Sequence, residues 1–260
     1  MPDDPSEPHS SEPHSLGELT MSVGPRTAPA RVLVVMAHPD DVDFGSAGTI
    51  AALTRAGSQV AYCLVTSGDA GSDDLTVSTA DLVALREKEQ TEAAARVGVT
   101  ELIFLHHPDG AVEANLALRH DISAVIRRTT PDLVICQSPA RIFDRIFASH
   151  PDHLAAGEAA LCAVYPDSRN PRAFPDLLAD GLAPHTVPEV WLSAHPEPDA
   201  FVDVTDTFDA KIAALRAHAS QTGHRDDLEE MIRGWLEFTA IQADFAEGRL
   251  AEAFKRVVTA

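Results

Sequence analysis

Residues 31–41 read RVLVVMAHPDD, an apolar run followed directly by an imidazole, a proline and two carboxylates. The run is short and mostly β-branched, which is typical of a strand buried on both faces of a parallel sheet. The polar residues then lie at the carboxyl end of that strand, where open α/β sheets bind their ligands. Two adjacent carboxylates repel each other unless a cation or a proton lies between them. As an alternative, Asp40 or Asp41 could cap the following helix, although a cap needs only one carboxylate.

A second cluster of the same kind follows more than a hundred residues later, where residues 149–153 read SHPDH. Pro151 suits the first position of a helix. His150 and His153, three residues apart, then project from one side of the helix start. Two imidazoles and a carboxylate that leave one position open are typical of a catalytic Zn²⁺ site. The two clusters together therefore predict a catalytic metal centre.

Strands and helices are predicted to alternate along most of the chain. Apolar runs predict strands at residues 32–36, 59–66, 101–105, 132–136, 189–193, 201–204 and 252–257. Helical spacing predicts helices at residues 80–97, 115–128, 154–165 and 225–246, and another that Thr205 or Asp206 caps. This alternation indicates βαβ units, hence an α/β, Rossmann-like, mostly parallel sheet flanked by helices in a single domain. The Pro- and Asp-rich stretch 166–188 is predicted to cover the pocket.

Composition limits the partners and the compartment. The 260 residues have a net charge of −20, which disfavours nucleic acid and anionic membranes as partners. Residues 1–28, with the repeat SEPHS at 6–10 and 11–15, contain little apolar surface, so we expect a disordered tail before a domain at 29–260. The tail does not resemble a signal peptide, and the three cysteines are widely spaced, so we expect a cytoplasmic protein. A homo-oligomer is left open.

The two His-Pro-Asp motifs resemble those of the PIG-L/LmbE-type metal-dependent de-N-acetylases. That family includes the deacetylases of mycothiol, bacillithiol and glycosylphosphatidylinositol-anchor synthesis. Further family-like pieces follow in order at residues 45, 66–71, 86–89, 108–110 and 211–221. Two positions depart from the common pattern. Val42 replaces a glutamate, with Asp43 one position later as in bacillithiol-type members, and Ala148 stands where some members have a tyrosine.

The resemblance implies a division of roles among the motif residues. Three residues are implied as metal ligands, namely His38, Asp41 and His153. Asp40 is implied as the general base on the nucleophilic water. His150 is implied to polarise the amide carbonyl or to protonate the leaving amine, with Asp152 orienting its ring.

Substrate contacts are implied for Arg86, Asp109 and His218, each with a plainer alternative. Arg86 could form a surface salt bridge with Glu89, three residues along the same helix. Asp109 precedes a glycine and could belong to an ordinary turn. His218 could also support the site from behind the pocket residues, or be a surface histidine of a helix.

The function expected from these residues is a zinc-dependent hydrolase that removes an N-acetyl group from an amino-sugar conjugate. Fe²⁺ is a competing ion, because carboxylate and imidazole ligands suit it too. One alternative is an amidase that cleaves a thiol–sugar conjugate, as mycothiol S-conjugate amidases do. Another is a catalytically idle binding protein of the same fold, which the presence of Asp40 and all three ligands disfavours. Nucleotide binding is also disfavoured, because no Gly-x-Gly-x-x-Gly follows the first strand.

Overall fold

A computed structural model describes residues 16–22 and 24–260, so residues 1–15 of the predicted tail lie outside the described residues. Two short strands pair near the start, and seven more form the central sheet. The strands are β1 (Glu18–Leu19), β2 (Arg26–Thr27), β3 (Arg31–Met36), β4 (Gln59–Leu64), β5 (Glu101–Phe104), β6 (Leu133–Gln137), β7 (Glu189–Ser193), β8 (Ala200–Asp203) and β9 (Ala251–Val258). The sheet order is β5-β4-β3-β6-β7-β9-β8. The first five strands in this order are parallel, and β9 is antiparallel to both of its neighbours. The predicted α/β fold with a mostly parallel sheet is confirmed.

Helices cover both faces of this sheet. They are α1 (Asp41–Arg55), α2 (Thr79–Arg96), α3 (Leu116–Thr129), α4 (Pro151–Cys162), α5 (Pro175–Ala179), α6 (Phe208–Ala217), α7 (Ala219–Thr222) and α8 (Leu228–Gln242). Strand β3 shows why two cores form, because successive side chains point to opposite faces. Val32, Val34 and Met36 join the core under α1, α2, α6 and α8, whereas Leu33 and Val35 join the core under α3 and α4.

Two predictions about the second half of the chain are wrong. A 3₁₀ turn, Thr205–Thr207, precedes α6, and its last residue occupies the N-cap position that was predicted for Thr205 or Asp206. Residues 166–188 pack against the flank of α3 instead of covering the pocket. Arg119 of α3 holds Asp167 at 2.9 Å, and Arg127 donates to backbone carbonyls of the stretch.

Within residues 16–22 and 24–260, none of the helices combines the length and apolar character that crossing a bilayer requires.

The segment before residue 29 is ordered further towards the start than the sequence predicted. Strands β1 and β2 pair, and Met21 forms a bridge with Val202 of β8. Leu19 and Met21 are 2% and 4% exposed within the main core. The predicted boundary between tail and domain, at residue 28, is therefore too late. Leu19 and Met21 belong to an otherwise polar stretch, but their side chains pack into the core of the domain.

We expect a chain that begins at Ala28 to be markedly less stable than one that begins at Leu16. Each fully buried Leu or Met side chain contributes about 1.5–3 kcal/mol. Loss of Leu19 and Met21 should therefore lower the free energy of unfolding by at least about 3 kcal/mol and the melting temperature by roughly 10 °C. Thermal melts of the two chains test this. Equal melting temperatures would show that the segment does not stabilise the core.

Glu189 on β7 makes a second link to this segment. Its carboxylate accepts paired hydrogen bonds from Arg26 at 2.7 and 2.6 Å and from Arg256 at 2.7 and 3.2 Å. Burial favours the neutral acid, but Arg26 and then Arg256 outweigh it and lower the pKa of Glu189 from 4.5 to about 2. A depressed carboxyl pKa stabilises the fold above the unfolded value, and that stability is lost as the pH falls towards about 2.

Glu189→Gln should therefore be less stable than wild type at pH 6, and the difference should shrink between pH 4.5 and pH 2. Urea unfolding at several pH values measures it. Glu197→Gln, at an exposed position, is the matched control and should parallel wild type. If the stability difference between wild type and Glu189→Gln stays constant over this range, the low pKa of Glu189 does not contribute to the pH dependence of folding.

Candidate active site

The carboxyl ends of the parallel strands open into a cavity of about 370 Å³. Loops after β3, β4, β5 and β6 build its wall, as parallel strands with crossover helices require. The lining residues are His38, Asp40, Asp41, Ala70, Gly71, Arg86, Asp109, Gly110, Phe147, His150 and His153. Among the described residues that the sequence assigned to the site, two, Asp152 and His218, lie outside this wall.

The junction of β3 and α1 gives Asp40 a left-handed backbone conformation, with φ of 83°. Such a conformation costs a residue other than glycine about 1–3 kcal/mol, so neighbouring groups must hold it. The Oε1 atom of Gln90 accepts the Asp40 amide at 2.8 Å, and Arg86 donates to the Pro39 carbonyl at 2.7 Å. The Asp40 carboxylate accepts a bond from Arg86 rather than capping α1. The alternative that Asp40 serves only as a helix cap is therefore wrong.

Burial and charge set the proton affinity of Asp40. Burial raises its pKa to about 7, the neighbouring Asp41 carboxylate adds to the rise, and Arg86 opposes it. Arg86 Nη2 lies 3.2 Å from Asp40 Oδ2, and Arg86 is only 3% exposed. The alternative that Arg86 forms a surface salt bridge with Glu89 is wrong, because Glu89 instead accepts hydrogen bonds from Ser220. A carboxyl group with a pKa near neutrality can both accept and return a proton during turnover.

Asp41 lies between two imidazoles. Its Oδ2 is 3.2 Å from Nδ1 of His38, and its Oδ1 is 3.1 Å from Nε2 of His153. Although burial favours the neutral acid, the charge and hydrogen bond of His153, and then those of His38, hold the pKa of Asp41 well below its usual value. The structure thus brings one carboxylate and two imidazole nitrogens, from motifs far apart in the chain, to within contact distance.

The second nitrogen of His38 faces two more carboxylates. Nε2 lies 3.1 Å from Asp109 Oδ1 and 3.2 Å from Asp152 Oδ2. Burial lowers the pKa of His38, but hydrogen bonds to Asp109 and then Asp41 outweigh it and raise the pKa to about 11. A carboxylate on the far nitrogen of a metal-binding histidine orients the ring and fixes its tautomer.

Asp152 does not orient His150 through its carboxylate, so that prediction is wrong. The carboxylate accepts the backbone amides of Gly110 at 2.7 Å and Val112 at 3.3 Å, besides contacting His38. It is 1% exposed. Asp152 therefore ties the loop after β5 to the first motif.

His150 is the N-cap of α4. Its Nδ1 accepts the backbone amide of Asp152 at 3.2 Å, so the proton of the neutral ring is on Nε2. The ring packs edge to face against His38, with centroids 5.1 Å apart, and lines the cavity. The cap thus holds His150 in place with Nε2–H available as a donor.

The donor chemistry of these side chains fits a divalent cation. Nitrogens of His38, His150 and His153 lie within 4.8 Å of one another, and Asp41 contacts the first and last of them. Two imidazoles and a carboxylate beside an open cavity suit Zn²⁺ and also Fe²⁺. Against the effect of burial, Asp41 raises the pKa of His153, and carboxylates raise that of His38. A bound cation displaces such protons.

His218 lies beneath the cavity wall and is 0% exposed. Its Nε2 is 2.8 Å from Asp43 Oδ2, and Gln90 donates to the same oxygen at 2.9 Å. This burial excludes the predicted substrate contact and the surface alternative for His218, and leaves the alternative of a residue behind the pocket wall. Gln90, which the sequence reasoning missed, joins this buried pair to the Asp40 amide. Its position one helical turn after Arg86 is the signal that could have identified it.

Gly71 packs directly on Arg86, since a Cβ at this position would lie 2.0 Å from Arg86 Nη1. We expect Gly71→Ala to displace the guanidinium from Asp40 and to lower kcat roughly 10²-fold, the scale reported for a misplaced catalytic group. The fold should persist, because the end of a flexible side chain can move. Steady-state kinetics and a thermal melt measure both effects.

Gly234→Ala is the matched control, because a Cβ there meets open space among the described residues. It should retain wild-type kcat. Wild-type kcat in Gly71→Ala would show that the Arg86 contact with Asp40 is not needed.

Comparison with known proteins identifies relatives of this chain. The family model described as PIG-L, GlcNAc-PI de-N-acetylase, matches residues 33–164. A diacetylchitobiose deacetylase of Thermococcus kodakarensis is 33% identical over 87% of this chain and 83% of its own length. A probable N-acetyl-alpha-D-glucosaminyl L-malate deacetylase 2 of Bacillus anthracis is 30% identical over 79% of this chain and 91% of its own.

A solved structure shows the same architecture. The N,N'-diacetylchitobiose deacetylase of Pyrococcus horikoshii, in complex with an inhibitor, superposes with a TM-score of 0.80 at 30% identity. The match covers 88% of this chain and 84% of that one.

Proposed function

Because this chain belongs to the PIG-L family of GlcNAc-PI de-N-acetylases, we propose that it is a metal-dependent hydrolase that removes the N-acetyl group from an N-acetylglucosaminyl conjugate. The observation that carries this proposal is that the carboxylate of Asp40, held by Arg86 at 3.2 Å, lines the same cavity as the donor set of His38, Asp41 and His153. The relatives named above support the sugar, since their names give N-acetylglucosamine-containing substrates. The three cysteines, all among the described residues, are free thiols, which supports a cytoplasmic location.

His38, Asp41 and His153 would hold the ion, with Zn²⁺ proposed first and Fe²⁺ second. When bound, a divalent ion supplies Lewis acidity to the nucleophilic water and to the amide carbonyl. Asp109 and Asp152 keep the His38 ring oriented through Nε2. The chain thus supplies both the donors and the groups that fix them.

Asp40 takes the proton from the attacking water and returns it to the leaving amine. Burial raises the pKa of Asp40 and Arg86 opposes the rise, so this carboxyl group can take up a proton and release it again. Arg86 and Gln90 fix the carboxylate and the backbone beneath it. The Asp40 group therefore needs no large movement between the two transfers.

His150 donates from Nε2 to the carbonyl oxygen as negative charge develops there. Its capping bond keeps the ring fixed, and a preorganised donor stabilises an oxyanion more than a mobile one. Arg86 and Asp109 line the same cavity, which supports the proposal that they also contact sugar hydroxyls.

The test is a panel of N-acetylglucosamine conjugates and thiol-conjugate amides, assayed for free amine with Zn²⁺ or Fe²⁺ added. We expect release of amine and acetate, in equal amounts, from the N-acetylglucosamine conjugates. Release of amine from the thiol-conjugate amides alone would replace the proposal with an amidase activity. No release from any compound by a metal-loaded protein would favour the idle binding protein.

A further inference from the structure

The segment between β6 and α4 exposes three large apolar side chains, and one of them, Phe147, lines the cavity. Phe143, Ile146 and Phe147 are 82%, 56% and 79% exposed, and they lie within the 3₁₀ turns of Phe143–Ser149. These three residues are called the apolar rim below. Clustered exposed apolar side chains of this size mark binding surfaces in soluble proteins.

Phe147 connects the apolar rim to the cavity, because it lines the wall together with His150 and His153. The rest of the wall is polar, built from carboxylates, imidazoles and a guanidinium. At about 370 Å³ the cavity is near the small end of ligand sites, which span about 300–1,000 Å³. One sugar with its N-acetyl group occupies such a space, so the remainder of a conjugate must leave through the mouth that Phe147 borders.

The cavity wall itself offers few cationic groups. Among the described residues that line the cavity, Arg86 is the only guanidinium or ammonium, and it is committed to Asp40 and the Pro39 carbonyl. The segment that carries the apolar rim also contains two exposed arginines, Arg141 and Arg145, so charge alone does not select the aglycone. The three apolar side chains of the rim, and not the charges around them, therefore indicate the chemistry of the aglycone.

We propose that the apolar rim binds an apolar aglycone, alkyl or aromatic, that is attached to the N-acetylglucosamine. This proposal rests on the function proposed above and specifies its substrate class. Aromatic rings bury a large area at small entropic cost, so Phe147 and Phe143 suit such a group. A second copy of this chain is the competing occupant of the apolar rim.

The test compares methyl, hexyl and benzyl N-acetylglucosaminides as substrates, each below its micelle concentration. We expect kcat/KM for the hexyl and benzyl compounds to exceed that for the methyl compound by about tenfold or more, mainly through KM, because the contact is made equally in ground and transition states. Phe147→Ser should reduce this ratio towards one. Leu75→Ser, which changes an apolar side chain that is 94% exposed on another loop, is the matched control and should keep the wild-type ratio.

Calorimetry with the matching glucosaminides, which are the deacetylated products, separates the two proposals. Tighter binding of the hexyl product, with a negative heat-capacity change that Phe147→Ser removes, would support the apolar rim even if no compound releases amine. Deacetylation of all three compounds with equal kcat/KM would overturn the apolar aglycone and leave the deacetylase intact. The wild type could instead be a dimer that Phe147→Ser dissociates, with equal kcat/KM for the three compounds. That result would show that the apolar rim binds a second copy of this chain.

Discussion

We expect Asp40→Asn to lower kcat by about 10²–10⁴-fold, the usual contribution of a general acid–base group. The amide has the shape of the carboxyl and can still accept the Arg86 bond that Asp40 Oδ2 accepts at 3.2 Å. It cannot take a proton from water at neutral pH, so the nucleophile loses its base. The metal content should stay at that of wild type, because Asp40 is separate from the three proposed ligands. Steady-state kinetics together with elemental analysis measure both quantities.

Asp73→Asn is the matched control for this change. Asp73 is an exposed carboxylate in the loop after β4, and its loss should leave kcat within a few-fold of wild type. If Asp40→Asn also stays within a few-fold, the base is another group. If it instead loses the metal, Asp40 acts through the metal site rather than as a proton acceptor.

His153→Ala should lose the bound ion and the activity that depends on it. Removing one of three protein donors leaves Asp41 and His38, which cannot complete a catalytic zinc site. We expect elemental analysis of purified protein to fall from one ion per chain to less than about a tenth, with a lower melting temperature because the ion stabilises only the folded state. A chelator should inactivate wild type, and added Zn²⁺ or Fe²⁺ should restore it.

His224→Ala, at an exposed position in the loop before α8, is the matched control and should keep full occupancy. His150→Ala distinguishes the roles within the second motif. It should keep the ion and lose turnover if His150 is the oxyanion donor. If His153→Ala keeps the metal ion and His150→Ala loses it, then His150 is the metal ligand and His153 is the candidate oxyanion donor.

The local part of this protein could be predicted from its sequence. The apolar run before His38 and the helical spacing after Pro151 are short-range patterns, so the two strand-to-helix junctions and the sheet class follow from period and turn chemistry. Both His-Pro-Asp motifs lie at the carboxyl ends of parallel strands, and right-handed crossovers bring such ends together. The meeting of Asp41 with His153 is a consequence of that topology.

Contacts between distant elements could not be predicted in this way, because no local pattern encodes them. The Asp152 carboxylate bonds to His38 rather than to His150, two positions before it, because α4 turns that side chain towards the loop after β5. His218 and Gln90 meet at Asp43 beneath the cavity because α6 packs on both α1 and α2. Leu19 and Met21 are ordered because β8 offers them a partner. The sequence by itself determined which chemical groups reach the sheet edge. Only the tertiary structure decided which of them touch, because packing between elements sets distances of a few ångströms that spacing along the chain cannot specify.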